Sequence, residues 1–281
     1  MHLLLITYRL LGRKGIRLIL RMVSCYYVLF ARQARLASRL YLQKIGKPSD
    51  FWQVWTHIYT FAQCTFDRVL LARGDLTNFA IYCHGTENLE RLHREGSGAI
   101  LLGAHVGSFE AMRAATAFHT FPVYMLTYEA NARRLQAFLK QVGRDLSQYI
   151  IEITPDNPSY IFRVRDLINQ GAFVAILGDR IGINEKTTQA ELFGSKAPFP
   201  TGPYTLAALL QCPIYLTFGL YAGNNRYDLY CEPFCETVSL PRQTRAAALG
   251  QYAQLYAKRL EHFCQLAPYN WFNFFNFWSQ P

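Results

Sequence analysis

The stretch Leu101–Ala115, LLGAHVGSFEAMRAA, changes period in its middle. It opens as the end of an apolar run, Ala99 to Gly103, and closes as a small-residue helical pattern from about Phe109. The joint carries His105, Gly107, Ser108 and Glu110. A buried strand that passes into a helix is the unit of an α/β fold, and in open sheets of this kind ligands meet the carboxyl ends of the strands. A histidine at that end is placed to act as a base. The first-turn N–H groups of the following helix offer themselves to an anion. Glu110, about one turn into the helix, is expected to reach back to the second imidazole nitrogen and fix the tautomer.

The same alternation recurs on both sides of this joint. FAIYCHG reads as a strand, TENLERLHREG as an amphipathic helix closed by Gly96, and FPVYMLTY as the next strand. NARRLQAFLKQVG then reads as a helix, YIIEI as a strand, PSYIFRVRDLINQG as a helix and AFVAILGDR as a strand. GPYTLAALLQ reads as a helix with Pro203 in its first turn, followed by strands in PIYLTFGLY and RYDLYCEPF. A long helix spans RQTRAAALGQYAQLYAKRLEHFCQLAP. The expected fold is therefore α/β, with a mostly parallel central sheet covered by helices on both faces. His105 follows one strand end, and Asp179 and Arg180 follow another.

The N-terminal part differs in character. MHLLLITYRLLGRKGIRLILRMVSCYYVLFARQARLASRLYL has no acidic residue, and Arg9, Arg13, Lys14, Arg17, Arg21, Arg32, Arg35 and Arg39 interrupt it throughout. A membrane span needs ~20 apolar residues, and no uncharged run here approaches that. Two helices broken near Gly12 and Gly15 are expected, lying in the membrane interface with arginines on the wet side. An ordinary amphipathic helix packed on the domain is the alternative. IGKPSD reads as a turn with Ser49 or Asp50 capping the helix that follows. The chain thus divides into membrane-associating helices over residues 1–46 and one domain over residues 47–281.

Composition narrows the partners. The net charge of +10 favours an anionic one, while only 17% of residues are charged and 15% are aromatic, which points to a membrane surface rather than nucleic acid. The cysteines, seven in number, lack zinc-site spacing and read as free thiols. No metal site is expected. The H-E-x-x-H and G-x-S-x-G patterns are both absent. A histidine and a glutamate five apart is by itself a common spacing, and a non-enzymatic lipid-binding or scaffold protein is the alternative to an enzyme.

GAHVGSFEAMRA resembles the H-x4-D/E block of the lysophospholipid acyltransferase superfamily, in the form used by the lipid A biosynthesis lauroyl/myristoyl acyltransferase family, where the acidic residue is glutamate. YEANARRLQAFLKQVGR, INQGAFVAILGDR, AELFGSKAPFPTGPYTLAALLQCPIYLTF and PYNWFNFFNFW resemble later segments of that family, in order, so the resemblance covers roughly residues 80 to 278. It implies transfer of a fatty acyl group from acyl carrier protein or coenzyme A to a hydroxyl of a bacterial envelope lipid, on the cytoplasmic face of the inner membrane, with no cofactor. It implies His105 as general base, Glu110 as its orienting partner, Asp179, Arg180 and Arg144 in the same cleft, and Ser108 and Gly202 at the substrate. Acyl carrier protein, anionic lipids and a lipid acceptor are the implied partners, with Arg91, Arg94, Arg133 and Arg134 either solvated or docking the acidic carrier. Amino-acid lipids or pigment lipids are further acceptor classes. The aromatic tail is expected either to close the core or to line an acyl tunnel ending near Trp271, Phe274 and Phe275.

Overall fold

The computed structural model describes residues 2–115, 121–141, 147–154, 157–182 and 185–279. A seven-stranded sheet runs in the order β1-β9-β8-β2-β5-β3-β4. Its strands are β1 (Ala80–His84), β2 (Ala99–Gly103), β3 (Val123–Tyr128), β4 (Ile150–Ile153), β5 (Phe173–Leu177), β8 (Ile214–Gly223) and β9 (Arg226–Cys235). Neighbours are parallel except β8 and β9, which form an antiparallel hairpin. The turn there, Asn224–Asn225, has both residues at positive φ, as a tight hairpin turn requires.

β2 lies at the centre and every residue of it is buried. Alternation sends Ile100 and Leu102 to one face and Ala99 and Leu101 to the other. On the first face they meet α7 (Ser159–Asn169), α8 (Gly202–Leu210) and α9 (Arg245–Leu266). On the second they meet α4 (Glu87–Arg94) and Phe109 of α5 (Phe109–Ala115). α6 (Glu129–Gln141) packs with α3 (Phe51–Ala72) against Met125 and Ile150. The sheet is therefore covered on both faces, as expected. The chain leaves β2 through α5 on one face and leaves the adjacent β5 towards α8 on the other, which makes the β2–β5 boundary a topological switch point.

A second ribbon, β6 (Thr187–Leu192) and β7 (Ser195–Pro200), has no counterpart in the sequence reading. It turns at Phe193–Gly194, both at positive φ, and is pinned to α9 by Gln254, whose side chain bonds both the N–H and the C=O of Glu191.

The N-terminal helices are α1 (His2–Phe30), bent where Gly12 takes φ 61°, and α2 (Arg32–Lys44). No described helix is long and apolar enough to cross a membrane. α1 packs Ile16 and Leu20 on Phe66 and Leu70 of α3, and Arg35 ends it by donating to the carbonyls of Val28 and Leu29. Asp50 caps α3 by accepting from the N–H groups of Trp52 and Gln53. Arg13 does not lie on the wet side. It turns inward to Asp67, which Tyr227 also bonds, and to Asn225. The residues left facing outward include Leu11, Leu18, Met22, Tyr26, Leu29 and Phe30, with Lys14, Arg21 and Arg32.

Candidate active site

The register of two strands builds the site. Gly103 of β2 pairs with Leu177 of β5, and two residues further along each strand come His105 and Asp179. Their side chains meet: His105 Nδ1–H donates to Asp179 Oδ1 at 2.8 Å, and the His105 backbone N–H donates to Oδ2 at 3.0 Å. Asp179 is fully buried, while the His105 side chain keeps 28% of its surface exposed. A carboxylate on Nδ1 selects the tautomer with the proton there, so Nε2 carries the free lone pair. Among the described residues Nε2 has no hydrogen-bond partner.

Oδ2 of Asp179 also accepts from the Trp271 indole N–H at 2.9 Å and from the Asn273 amide at 3.0 Å. Burial alone would raise this carboxyl. The charges of His105 and Arg180 and the donated hydrogen bonds outweigh it and hold Asp179 well below the usual carboxylate range. Arg180 is held by the same tail segment: Nε donates to Asn273 Oδ1 at 2.8 Å and Nη2 to the Phe272 carbonyl at 3.0 Å. Burial lowers its guanidinium pKa against the opposing pull of Asp179.

Glu110 does not take the orienting place expected of it. It is buried on α5, where Arg113 Nε donates to one oxygen at 2.7 Å and Arg68 Nε of α3 to the other at 3.3 Å. The physical reason is direction: Glu110 faces the α3–α5 contact, whereas the imidazole turns along the sheet to β5. Gly107 sits between them at φ +70°, and a Cβ there would lie 1.9 Å from the Gly219 carbonyl oxygen. The expected anion cradle is also largely occupied. The N–H groups of Gly107 and Ser108 bond the carbonyls of Asn270 and Gly219, and those of Ala111 and Met112 bond Ser108. Ser108 is buried and caps α5, so its hydroxyl serves the helix rather than a ligand.

Gly202 opens α8 beside Glu185, whose Oε1 would lie 2.6 Å from a Cβ. Glu185 in turn accepts the Gly182 N–H at 2.7 Å, and Thr201 bonds the Lys186 carbonyl, so this turn steadies the chain that leaves Asp179 and Arg180. Arg144 lies outside the described residues. No group of metal-ligating side chains occurs among the described residues.

An apolar cavity with about 600 Å³ of empty space, counting its open mouth, lies between the sheet and α4 and α5. Leu89, Leu101, Phe109, Met112, Ala175 and Thr217 are among its walls. Trp271, Phe274 and Phe275 are not in its lining; Trp271 is buried in the core with Ile100 and Leu102, and Phe274 and Phe275 pack against that core. The tail thus packs as part of the core.

The site residues that sequence reasoning missed are Trp271 and Asn273 as partners of Asp179. The signal was present: asparagines set in an otherwise aromatic run, YNWFN, must find partners once buried.

No curated protein matches the chain. The family described as bacterial lipid A biosynthesis acyltransferase matches over residues 53–280, which takes in the whole sheet, His105, Asp179 and the tail. The chain belongs to the bacterial lipid A biosynthesis acyltransferase family, enzymes that transfer acyl groups to lipid.

Proposed function

We propose that this protein is a membrane-surface O-acyltransferase, moving a fatty acyl group from an acyl carrier protein or coenzyme A thioester to a hydroxyl of a bacterial envelope lipid. The observation that carries the reading is the His105–Asp179 pair at the switch point of the sheet, with Nε2 free and the imidazole partly exposed. Nε2 takes the proton of the acceptor hydroxyl as its oxygen attacks the thioester carbonyl. The new carbon–oxygen bond forms, the tetrahedral centre collapses, and the carbon–sulfur bond breaks. The imidazolium returns its proton to the departing thiolate. Asp179 stabilises the imidazolium between these steps by charge and by the Nδ1–H bond, without itself taking the proton.

The apolar cavity supports a fatty chain as the group transferred. It runs beside β2, with Leu101 before His105 and Phe109 after it in its walls. Its lining is almost wholly hydrocarbon, which favours an alkyl chain over a polar ligand.

The outward face of α1 supports a lipid surface as the place of reaction. Leu18, Met22, Leu29 and Phe30 are each more than half exposed on a helix that also carries Lys14, Arg21 and, just beyond its end, Arg32. Apolar residues entering the acyl boundary with cations at the headgroups is the pattern of an interfacial helix.

The test is incubation of the purified protein with radiolabelled acyl–acyl carrier protein or acyl–coenzyme A and a total bacterial lipid extract, followed by identification of the labelled product. A labelled lipid ester that alkali cleaves is the expected product. Label recovered only as free fatty acid would overturn the reading.

A further inference from the structure

The four residues Asn270–Asn273 touch every strand end that forms the site. The Asn270 carbonyl accepts the Gly107 N–H at 2.8 Å, and its side chain bonds both the N–H and the C=O of Tyr221. Trp271 pairs with Val106 as an isolated antiparallel bridge. The Phe272 N–H donates to the His105 carbonyl at 2.8 Å. Trp271 and Asn273 each donate to Asp179, while Phe272 and Asn273 hold Arg180.

This segment is fastened from behind. His57 of α3 is fully buried between Ser38 of α2 and the Trp271 carbonyl, at 2.9 Å from each. A carbonyl only accepts, so His57 Nε2 carries the proton and Nδ1 accepts from the Ser38 hydroxyl. Burial pushes the imidazole pKa down to about 4, so the ring stays neutral, as this pattern requires. Hydrogen bonds thus link Ser38 to His57 and His57 to the Trp271 carbonyl, and the Trp271 indole links on to Asp179 and His105.

We infer that Trp271 and Asn273 are positioning residues for the His105–Asp179 pair, and that His57 and Ser38 lock them, so that the N-terminal helices set the alignment of the base. The inference rests on the acyltransferase reading for its effect on rate. The geometry is otherwise hard to account for as packing alone. Packing asks only for a hydrocarbon side chain at Trp271, and the chain instead places a buried indole N–H and a buried amide on one carboxylate oxygen. Each donor restricts rotation of that carboxylate, and the carboxylate in turn fixes the plane of the imidazole. Arg180 ties Asn273 and Phe272 to the same strand end that carries Asp179.

The experiment uses the full-length protein, labelled with ¹⁵N-histidine, and follows the His105 Nδ1–H proton, identified by its loss in His105→Gln. In the wild type it is expected to be sharp and slow to exchange. Trp271→Phe and Asn273→Asp are expected to broaden it and to lower kcat about ten-fold, with KM within about two-fold of the wild type. His57→Leu should do the same in smaller measure, and His57→Gln, which keeps an N–H for the Trp271 carbonyl, should restore both readouts. A structural role alone lowers the melting temperature and leaves the His105 proton and kcat of the folded fraction as they were. That result in any folded member of the set, or equal behaviour of His57→Leu and His57→Gln, overturns the inference. If the wild type transfers no acyl group the functional reading fails, and the proton resonance still decides the positioning.

Discussion

Asp179 holds His105 twice, accepting the ring N–H on one oxygen at 2.8 Å and the backbone N–H of the same residue on the other at 3.0 Å. The double grip fixes the imidazole relative to its own main chain. It follows from the register that sets Gly103 beside Leu177, because equal overhangs of two parallel strands place His105 and Asp179 side by side.

Separation of the two carboxylates is the first expected outcome. Asp179→Asn keeps the shape but offers the ring an amide, which lets the wrong nitrogen carry the proton. Turnover should fall ~10²–10⁴-fold. Glu110→Gln should instead act on stability, costing about 1–3 kcal/mol, because two arginines lose the charge they share. Acyl transfer rates and urea denaturation of both variants check this; equal loss of turnover in the two would return Glu110 to the reaction.

Acid stability depends on His57. The unfolded chain takes a proton near 6.5, but the buried ring takes one only near 4. Between these values the unfolded state binds more protons, so the stability from neutral His57 is whole above 6.5 and is lost as pH falls towards 4. The span is worth about 3 kcal/mol at 1.36 kcal/mol per unit. Denaturation midpoints of the wild type should drop across this window, while those of His57→Gln should drop less by that amount. Parallel curves would refute it.

The cavity predicts a preferred donor length. Each methylene buried adds ~0.8 kcal/mol, close to four-fold in preference. Activity on donors of graded length should peak at one length, and a larger side chain at Ala175, which is buried in the cavity wall, should move the peak to shorter chains. A flat profile would place the acyl tail outside the cavity.

Membrane attachment should depend on the outward face of α1. Replacing Leu18 and Phe30 together by glutamate leaves the buried face of α1 on α3 untouched and should release the protein from anionic vesicles. High salt should weaken binding of the wild type by screening its basic residues. Sedimentation with vesicles measures both, and salt-independent binding of the double variant would locate attachment elsewhere.

The strands and helices were legible because their periods are clean: β2 is five buried residues, and α4 presents Leu89 and Leu92 on one side and charges on the other. The placing of His105 and Asp179 at strand ends was legible too. Their contact was not, because it depends on which strand lies beside β2, and the residues are 74 apart in sequence. Glu110 misled because nearness along a helix says nothing about which face meets the ring. The β6–β7 ribbon was hidden by Pro198 and Pro200, which argue against a strand except at an unpaired edge. Trp271 reads either as core or as the end of an acyl tunnel; it is buried in the core, and its N–H has a second task that hydrophobicity does not reveal.

The central claim is that His105, held by Asp179, takes the proton from the acceptor hydroxyl. The most direct measurement is single-turnover transfer of a radiolabelled acyl group to the lipid acceptor by the wild type, His105→Ala, Asp179→Asn and Glu110→Gln, each shown to be folded by its melting curve. The account predicts a labelled lipid ester from the wild type and from the folded fraction of Glu110→Gln, almost none from His105→Ala, and a loss of at least ~10²-fold in Asp179→Asn. Transfer at the wild-type rate by folded His105→Ala would contradict it.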